Sequence, residues 1–282
     1  MLRVKAPASE TSLCHDDRMN RTVTARITAH VTSAADLVFS IAVAATAART
    51  DETLTITLDG TPLDIAEIAD EHGTRLHRVR AEPGNLEAFY SATITGRAPE
   101  APVDPTDLIR YLRPSRYCES DSLAPTAAAE FADLDGAALL DAVSSWVGTR
   151  LAYVSGSSLP TDGATRTLLA RAGVCRDFAH LVVALLRARG IPARLVSVYA
   201  PGLDPMDFHA VAEAYVEGAW HVVDATTLAP RGTLQRIATG RDASDTAFLT
   251  TLSGGLNFQS LAVTAVADSL PTDDLTTLTS LG

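Results

Sequence analysis

The run Gly173-Val174-Cys175-Arg176-Asp177-Phe178-Ala179-His180, with the apolar segment behind it, constrains this chain more than any other stretch. Leu181-Val182-Val183-Ala184-Leu185-Leu186 carries apolar residues at helical spacing, and Gly190-Ile191-Pro192 ends the pattern with a glycine suited to a helix C-terminus and a proline just beyond. A small polar loop, Gly156–Gly163, and a short segment, Ala164–Arg171, precede it. The pattern predicts a buried helix with Cys175 in its first turn. A thiol there meets unpaired backbone N–H groups and the positive end of the helix dipole, which favour the thiolate. Free cysteine is also a common core residue, so the position by itself fits both a nucleophile and a packing role.

The rest of the chain narrows the choice. Its 282 residues, 46% hydrophobic and 20% charged, are enough to bury a core without covalent staples. The net charge of −11 argues against a nucleic-acid partner or an anionic membrane, both of which want a basic patch. The three cysteines, Cys14, Cys118 and Cys175, are too widely spaced for a disulfide framework or a zinc pattern. A reducing, cytoplasmic location, no metal and no cofactor are therefore expected. No stretch approaches the length of a membrane span. Residues 1–19 show neither an apolar signal core nor periodicity, and read as a disordered leader.

From Arg21 the apolar residues alternate: Val23, Ala25, Ile27, Ala29 and Val31. Further strands are expected at Leu37–Ala45, Leu54–Leu58, Leu63–Ile68, Thr74–Ala81 and Leu86–Thr95, with turns at Asp59-Gly60, His72-Gly73 and Pro83-Gly84. Short strands with regular turns predict an antiparallel β-sandwich over 20–100. Gly96–Asp104 reads as a linker, and 101–267 as a second domain of mixed helices and strands. Residues 127–150 read as a helix pair. The stretch from Arg231 reads as a polar loop whose Arg236, Arg241, Asp242 and Asp245 lie where they can rim a groove. Leu256–Ala267 reads as a closing strand of the second domain, and 268–282 as a flexible tail.

Phe208–Val216 and Ala219–Asp224 are apolar β-formers around Glu217-Gly218, a tight-turn dipeptide. A turn centred there sets Val211 opposite Asp224. His209 then shares a sheet face with Asp224, as a diagonal neighbour about 7–8 Å away at the backbone. With Cys175 set against that face, the three groups have matched chemistry: a thiolate nucleophile, an imidazole to pass the proton, and a carboxylate to hold the imidazolium. The Cys175 backbone N–H would help hold the oxyanion. Arg176 and His180 are nearby candidates for supporting roles. His180, five residues on, points about 140° round the helix from Cys175, and His221 alternates to the face opposite Asp224. Cys175, His180 and His209 match no usual zinc-ligand spacing.

The segments GVCRDFAHLVVALLRARGIPAR and MDFHAVAEAYVEGAWHVVDATTLAP resemble the transglutaminase-like superfamily, in its bacterial branch of cysteine proteases. The carrying motifs are the G-V-C-R-D-F-A-H helix start, the D-F-H-A strand and the W-x-V-x-D-A-T strand. YLRPSRYCESD and GSSLPTDGA resemble the same branch, and the sandwich expected over 20–100 resembles the bacterial transglutaminase N-terminal region. The resemblance implies an α+β fold, a β-sandwich followed by a papain-like transglutaminase core. It carries the family's nucleophile onto Cys175, its histidine onto His209 and its aspartate onto Asp224. It implies an enzyme that opens a peptide or protein amide through a thioacyl intermediate, as a cysteine peptidase or amidase. Acyl transfer to an amine, and a non-catalytic scaffold of the same fold, are the alternatives. No calcium loop is present, so calcium is not carried over.

Overall fold

The computed structural model describes residues 19–281. The leader expected over 1–19 lies outside them except for Met19, which is buried. The alternation from Asn20 forms β1, a 20-residue strand, Asn20–Phe39, with Val23, Ala25, Ile27, Ala29 and Val31 all facing inward. Its first part pairs antiparallel with β6 (Gly84–Thr95) and its last part with β5 (Arg75–Ala81). β13 (Leu249–Ala267) runs along the other edge of both parts. β2 (Arg49–Leu58) and β3 (Thr61–Pro62) extend one arm from β6, and β4 (Ala66–Ala69) extends the other from β5.

All seven strands thus belong to one antiparallel sheet. Register shifts between β1 and β13 bend the shared ladder. Gly254 sits at this bend with φ +87°, where a Cβ would collide with the Ala34 carbonyl. The two arms close over one core that includes Ile27, Leu37, Ile56, Val79, Leu86 and Ile94. The layers of the expected sandwich are halves of this one bent sheet.

Three expectations need correction here. Leu37–Ala45 is not a separate strand: β1 continues to Phe39, and residues 40–45 are irregular. They are apolar because they are buried against the second half of the molecule, where Ala44 N–H donates to the Arg236 carbonyl and Tyr199 Oη to the Ile41 carbonyl. Leu256–Ala267 does not close the 101–267 region. It pairs with β1, and Val263 and Ala265 alternate into the core of the bent sheet. The tail over 268–282 is docked as far as it is described: Arg231 pairs with Asp273 at 3.0 Å, Val222 N–H donates to the Thr279 carbonyl, and Leu281 is buried.

The second half contains α1 (Pro105–Arg110), α2 (Ser120–Glu130), α3 (Gly136–Arg150), α4 (Ala164–Ala170) and α5 (Cys175–Ala188). Its sheet has the order β11 (Ala219–Val223), β10 (Phe208–Val216), β9 (Ala193–Tyr199), β12 (Gln235–Gly240). β12 falls where a polar loop was expected. Every one of its residues is buried, so both faces are covered and no alternation marks it in the sequence.

Side-chain alternation sorts this sheet into two faces. Ala193, Ala212 and Ala214 pack against α5. Farther along the same face, Tyr199, Ile237 and Ala238 join the core of the bent sheet. Val196, Val198, Val211 and Val222 face the other way, toward Leu234 and Leu281. The helix and the bent sheet therefore share one face of the second sheet, and a gap is left between them at the start of α5. Among the described residues no helix is long and apolar enough to cross a membrane.

Candidate active site

The helix that the sequence predicts begins at Cys175. Asp177 Oδ2 accepts from the Val174 N–H at 2.8 Å, tying off the helix start. That closeness explains Gly173, since a Cβ there would stand 2.7 Å from the Asp177 Cβ. Arg176 donates to the Ser158 hydroxyl and to the Leu159 carbonyl at 2.8 Å, and pairs with Asp177 at 3.0 Å. Its guanidinium is thereby committed to fastening the 156–163 loop.

The register of β10 and β11 is the one the turn at Glu217-Gly218 predicts, with Ala212 opposite Val223. Asp224 follows β11 directly, and its Oδ2 lies 2.8 Å from His209 Nε2. Thr226 fixes the carboxylate from the other side: its N–H donates to Oδ1 at 2.9 Å and its hydroxyl at 2.6 Å. Both His209 and Asp224 are buried. Burial opposes the charge on each, but their attraction outweighs it. His209 is raised to about 10, and Asp224 is held below the ordinary carboxylate value with help from Thr226.

The Cys175 thiol adds to the upward push on His209. His209 Nδ1 has no hydrogen-bond partner, which leaves one ring nitrogen uncommitted. α5 packs on the alternate set of side chains to His209, so the two meet at the start of β10 rather than across a flat sheet face.

Tyr153 was not singled out by the sequence. It belongs to β7 (Ala152–Tyr153), which pairs in parallel with β8 (Ala172–Gly173). That pairing sets Tyr153 opposite Gly173, two residues before Cys175. Burial and the neighbouring Cys175 thiol push the Tyr153 phenol up to about 12. Only the parallel pairing brings the two together, and no local pattern announces it.

His180 lies elsewhere. Its ring stacks on Tyr117 with centroids 5.4 Å apart, and its Nε2 accepts from the Ala243 N–H at 3.1 Å. Burial lowers its pKa to about 4, which keeps it neutral. With Asp242, which accepts from the Tyr117 and Ser244 N–H groups, it fixes the loop after β12. Of the residues considered there for a groove rim, Asp242 is wholly buried, Arg236 is bound to Glu213, and Arg241 pairs with Asp245.

A cavity of about 230 Å³ opens beside Cys175 and His209, in the gap between α5 and the bent sheet. Away from it, Glu71, His72 and Asp107 bring possible metal-ligand atoms within 4.8 Å of one another. Arg110 pairs with Glu71 and Arg194 stands 3.8 Å from Asp107, so this cluster already carries its counter-charge.

A family model of the transglutaminase-like superfamily matches residues 126–225. A solved structure described as that of a "Putative Cysteine Protease from Cytophaga hutchinsonii" superposes with a TM-score of 0.82 at 35% identity, over 90% of this chain and 92% of that one. An uncharacterized protein of Mycobacterium tuberculosis is 45% identical over 69 residues, 23% of this chain and 22% of its own length. An uncharacterized protein of Mycobacterium leprae is 30% identical over 122 residues, 40% of this chain and 44% of its own length. The chain thus spans less than half the length of these two curated relatives.

Proposed function

Since the chain belongs to the transglutaminase-like superfamily, we propose that it is a thiol-dependent amide hydrolase acting on peptide or protein substrates through Cys175, His209 and Asp224. The observation that carries the reading is the state of the His209 ring. Nε2 is taken by Asp224, Nδ1 has no hydrogen-bond partner, and the neighbouring Cys175 thiol favours the charged ring. With its pKa raised to about 10, His209 is an imidazolium at neutral pH, the form that pairs with a thiolate and gives up a proton.

In the first half-reaction the Cys175 thiolate attacks the amide carbon. The Cys175 N–H and the Tyr153 hydroxyl receive the negative oxygen. The C–N bond breaks as His209 protonates the departing amine, and a thioester remains on Cys175. In the second half-reaction His209 takes a proton from water as the hydroxide adds to the thioester carbon. The C–S bond breaks, the carboxylic acid leaves, and the thiolate–imidazolium pair is restored. Asp224, held by Thr226, keeps the ring oriented throughout.

The test is alkylation of Cys175 by iodoacetamide at neutral pH, followed by peptide mapping. Rapid labelling that falls about tenfold or more in His209→Ala fits the reading. A Cys175 that labels equally in both proteins refutes it. A screen of amide substrates, with Cys175→Ala as the blank, then reads turnover directly.

A further inference from the structure

We propose that the cavity beside Cys175 takes the substrate side chain next to the attacked carbonyl, and that it selects an aromatic ring with a hydroxyl at its tip. This rests on the hydrolase reading and adds the substrate class.

The cavity has apolar walls and, besides Nδ1 of His209, two unpaired hydroxyls. Leu195 and Phe208 come from the second sheet, Ile237 from β12, and Phe248 from the segment that enters β13. The rings of Phe208 and Phe248 lie 5.6 Å apart at 30°, forming an aromatic wall against which another ring packs well. Ser40 and Ser197 line the same space, and the hydroxyl of each is buried without a hydrogen-bond partner. Ser40 itself is 2% exposed. A buried hydroxyl without a partner is costly, and two around one apolar cavity mark where a ligand's polar group belongs.

A phenolic hydroxyl donates one hydrogen bond and accepts another, which complements two serines. A purely aliphatic side chain would leave both unpaired. An ammonium tip would want a carboxylate at depth, whereas the lining carboxylate, Asp207, is exposed. Ser40 follows β1 and Phe248 precedes β13, and the Ser40 N–H donates to the Phe248 carbonyl at 3.0 Å, so the end of the bent sheet completes the substrate pocket.

The test uses the whole protein and peptidyl chloromethyl ketones that differ only in the residue beside the ketone: Tyr, Phe, Leu or Ala. Rates of Cys175 alkylation are read by intact mass and divided by each protein's own iodoacetamide rate. The Phe probe should exceed the Ala probe by about tenfold or more, and the Tyr probe should exceed Phe by a further several-fold. Ser40→Ala and Ser197→Ala should erase the Tyr-over-Phe margin. Ile237→Trp, which fills the cavity, should bring Tyr and Phe down to the Ala rate.

An Ala probe as fast as Tyr in the unmodified protein overturns the pocket assignment. A Tyr probe no faster than Phe overturns the hydroxyl selection and leaves the serines to water. Both results are separate from failure of the hydrolase reading, which shows as iodoacetamide labelling that does not depend on His209.

Discussion

Two buried charged groups stand on the same face of β10, four residues apart, and they are finished differently. Glu213 accepts from Arg194 Nε at 2.8 Å and from Arg236 Nη1 at 2.9 Å. Arg194 in turn lies 3.9 Å from the centre of the Trp220 ring. Burial opposes the Glu213 charge, but the two arginines outweigh it and lower its pKa to about 2. His209 and Asp224 are as deeply buried and as tightly paired, yet Nδ1 of His209 is left unpartnered beside a cavity. Partner supply separates the two. A carboxylate between guanidiniums that do not titrate is a structural joint, whereas a carboxylate behind an imidazole with one free nitrogen leaves a proton that can move.

Asp224→Asn should produce the largest difference between these two places. The amide keeps the shape but cannot stabilise the imidazolium, so turnover should fall by about 10⁴-fold. The folded state should persist, as read by near-UV circular dichroism. Glu213→Gln reverses the pattern. It leaves two buried arginines short of charge, and urea unfolding should show a loss of about 3–5 kcal/mol. Iodoacetamide labelling of Cys175 in the folded protein should change little. If Glu213→Gln silences Cys175 while stability holds, the division between joint and site is wrong.

The sequence made these two places unequally legible. The Cys175 helix start, the tight turn at Glu217-Gly218 and the alternation of β10 are local signals, and they suffice to set His209 and Asp224 on one face. Glu213 reads from the sequence as a solvent or salt-bridge residue with no partner to name, because Arg236 lies on β12, a strand hidden by its complete burial. Tyr153 was hidden for a related reason, since it approaches Cys175 through a parallel pairing of two-residue strands. The cavity was hidden most deeply, because Ser40 and Phe248 flank the bent sheet while Ser197 and Phe208 lie in the second one. Period and turn chemistry report what lies within one element. They are silent on what two distant elements build between them.

Tyr153→Phe sharpens the comparison on the Cys175 side of the site. If the phenol helps receive the oxyanion, turnover should fall by about 10²-fold. The His209 dependence of Cys175 labelling should remain, because the ring and its carboxylate are untouched. An equal fall in labelling and turnover would instead assign Tyr153 to positioning the thiol.

The smallest effect concerns pH. The folded-state pKa of His209 is raised above its ordinary value of about 6.5, to about 10. Its contribution to stability is therefore complete below about pH 6.5 and is lost as pH rises through about 10. Turnover should fall along the same alkaline limb, because the imidazolium that protonates the leaving amine disappears. The Glu213 joint should be indifferent there, since arginine keeps its charge. It weakens only in acid, where Glu213 stabilises the fold above the unfolded value of about 4.3 and ceases to as pH falls toward about 2. Thr226→Ala removes one of the two Thr226 donors on Asp224 Oδ1 and leaves the backbone N–H. Asp224 then holds the imidazolium less firmly, and the alkaline limb should move to lower pH. Histidine NMR across the alkaline range reads both midpoints directly. A His209 resonance that titrates near its ordinary value in the unmodified protein would mean that Asp224 does not hold the ring as an imidazolium, and the contrast with Glu213 would then lose its basis.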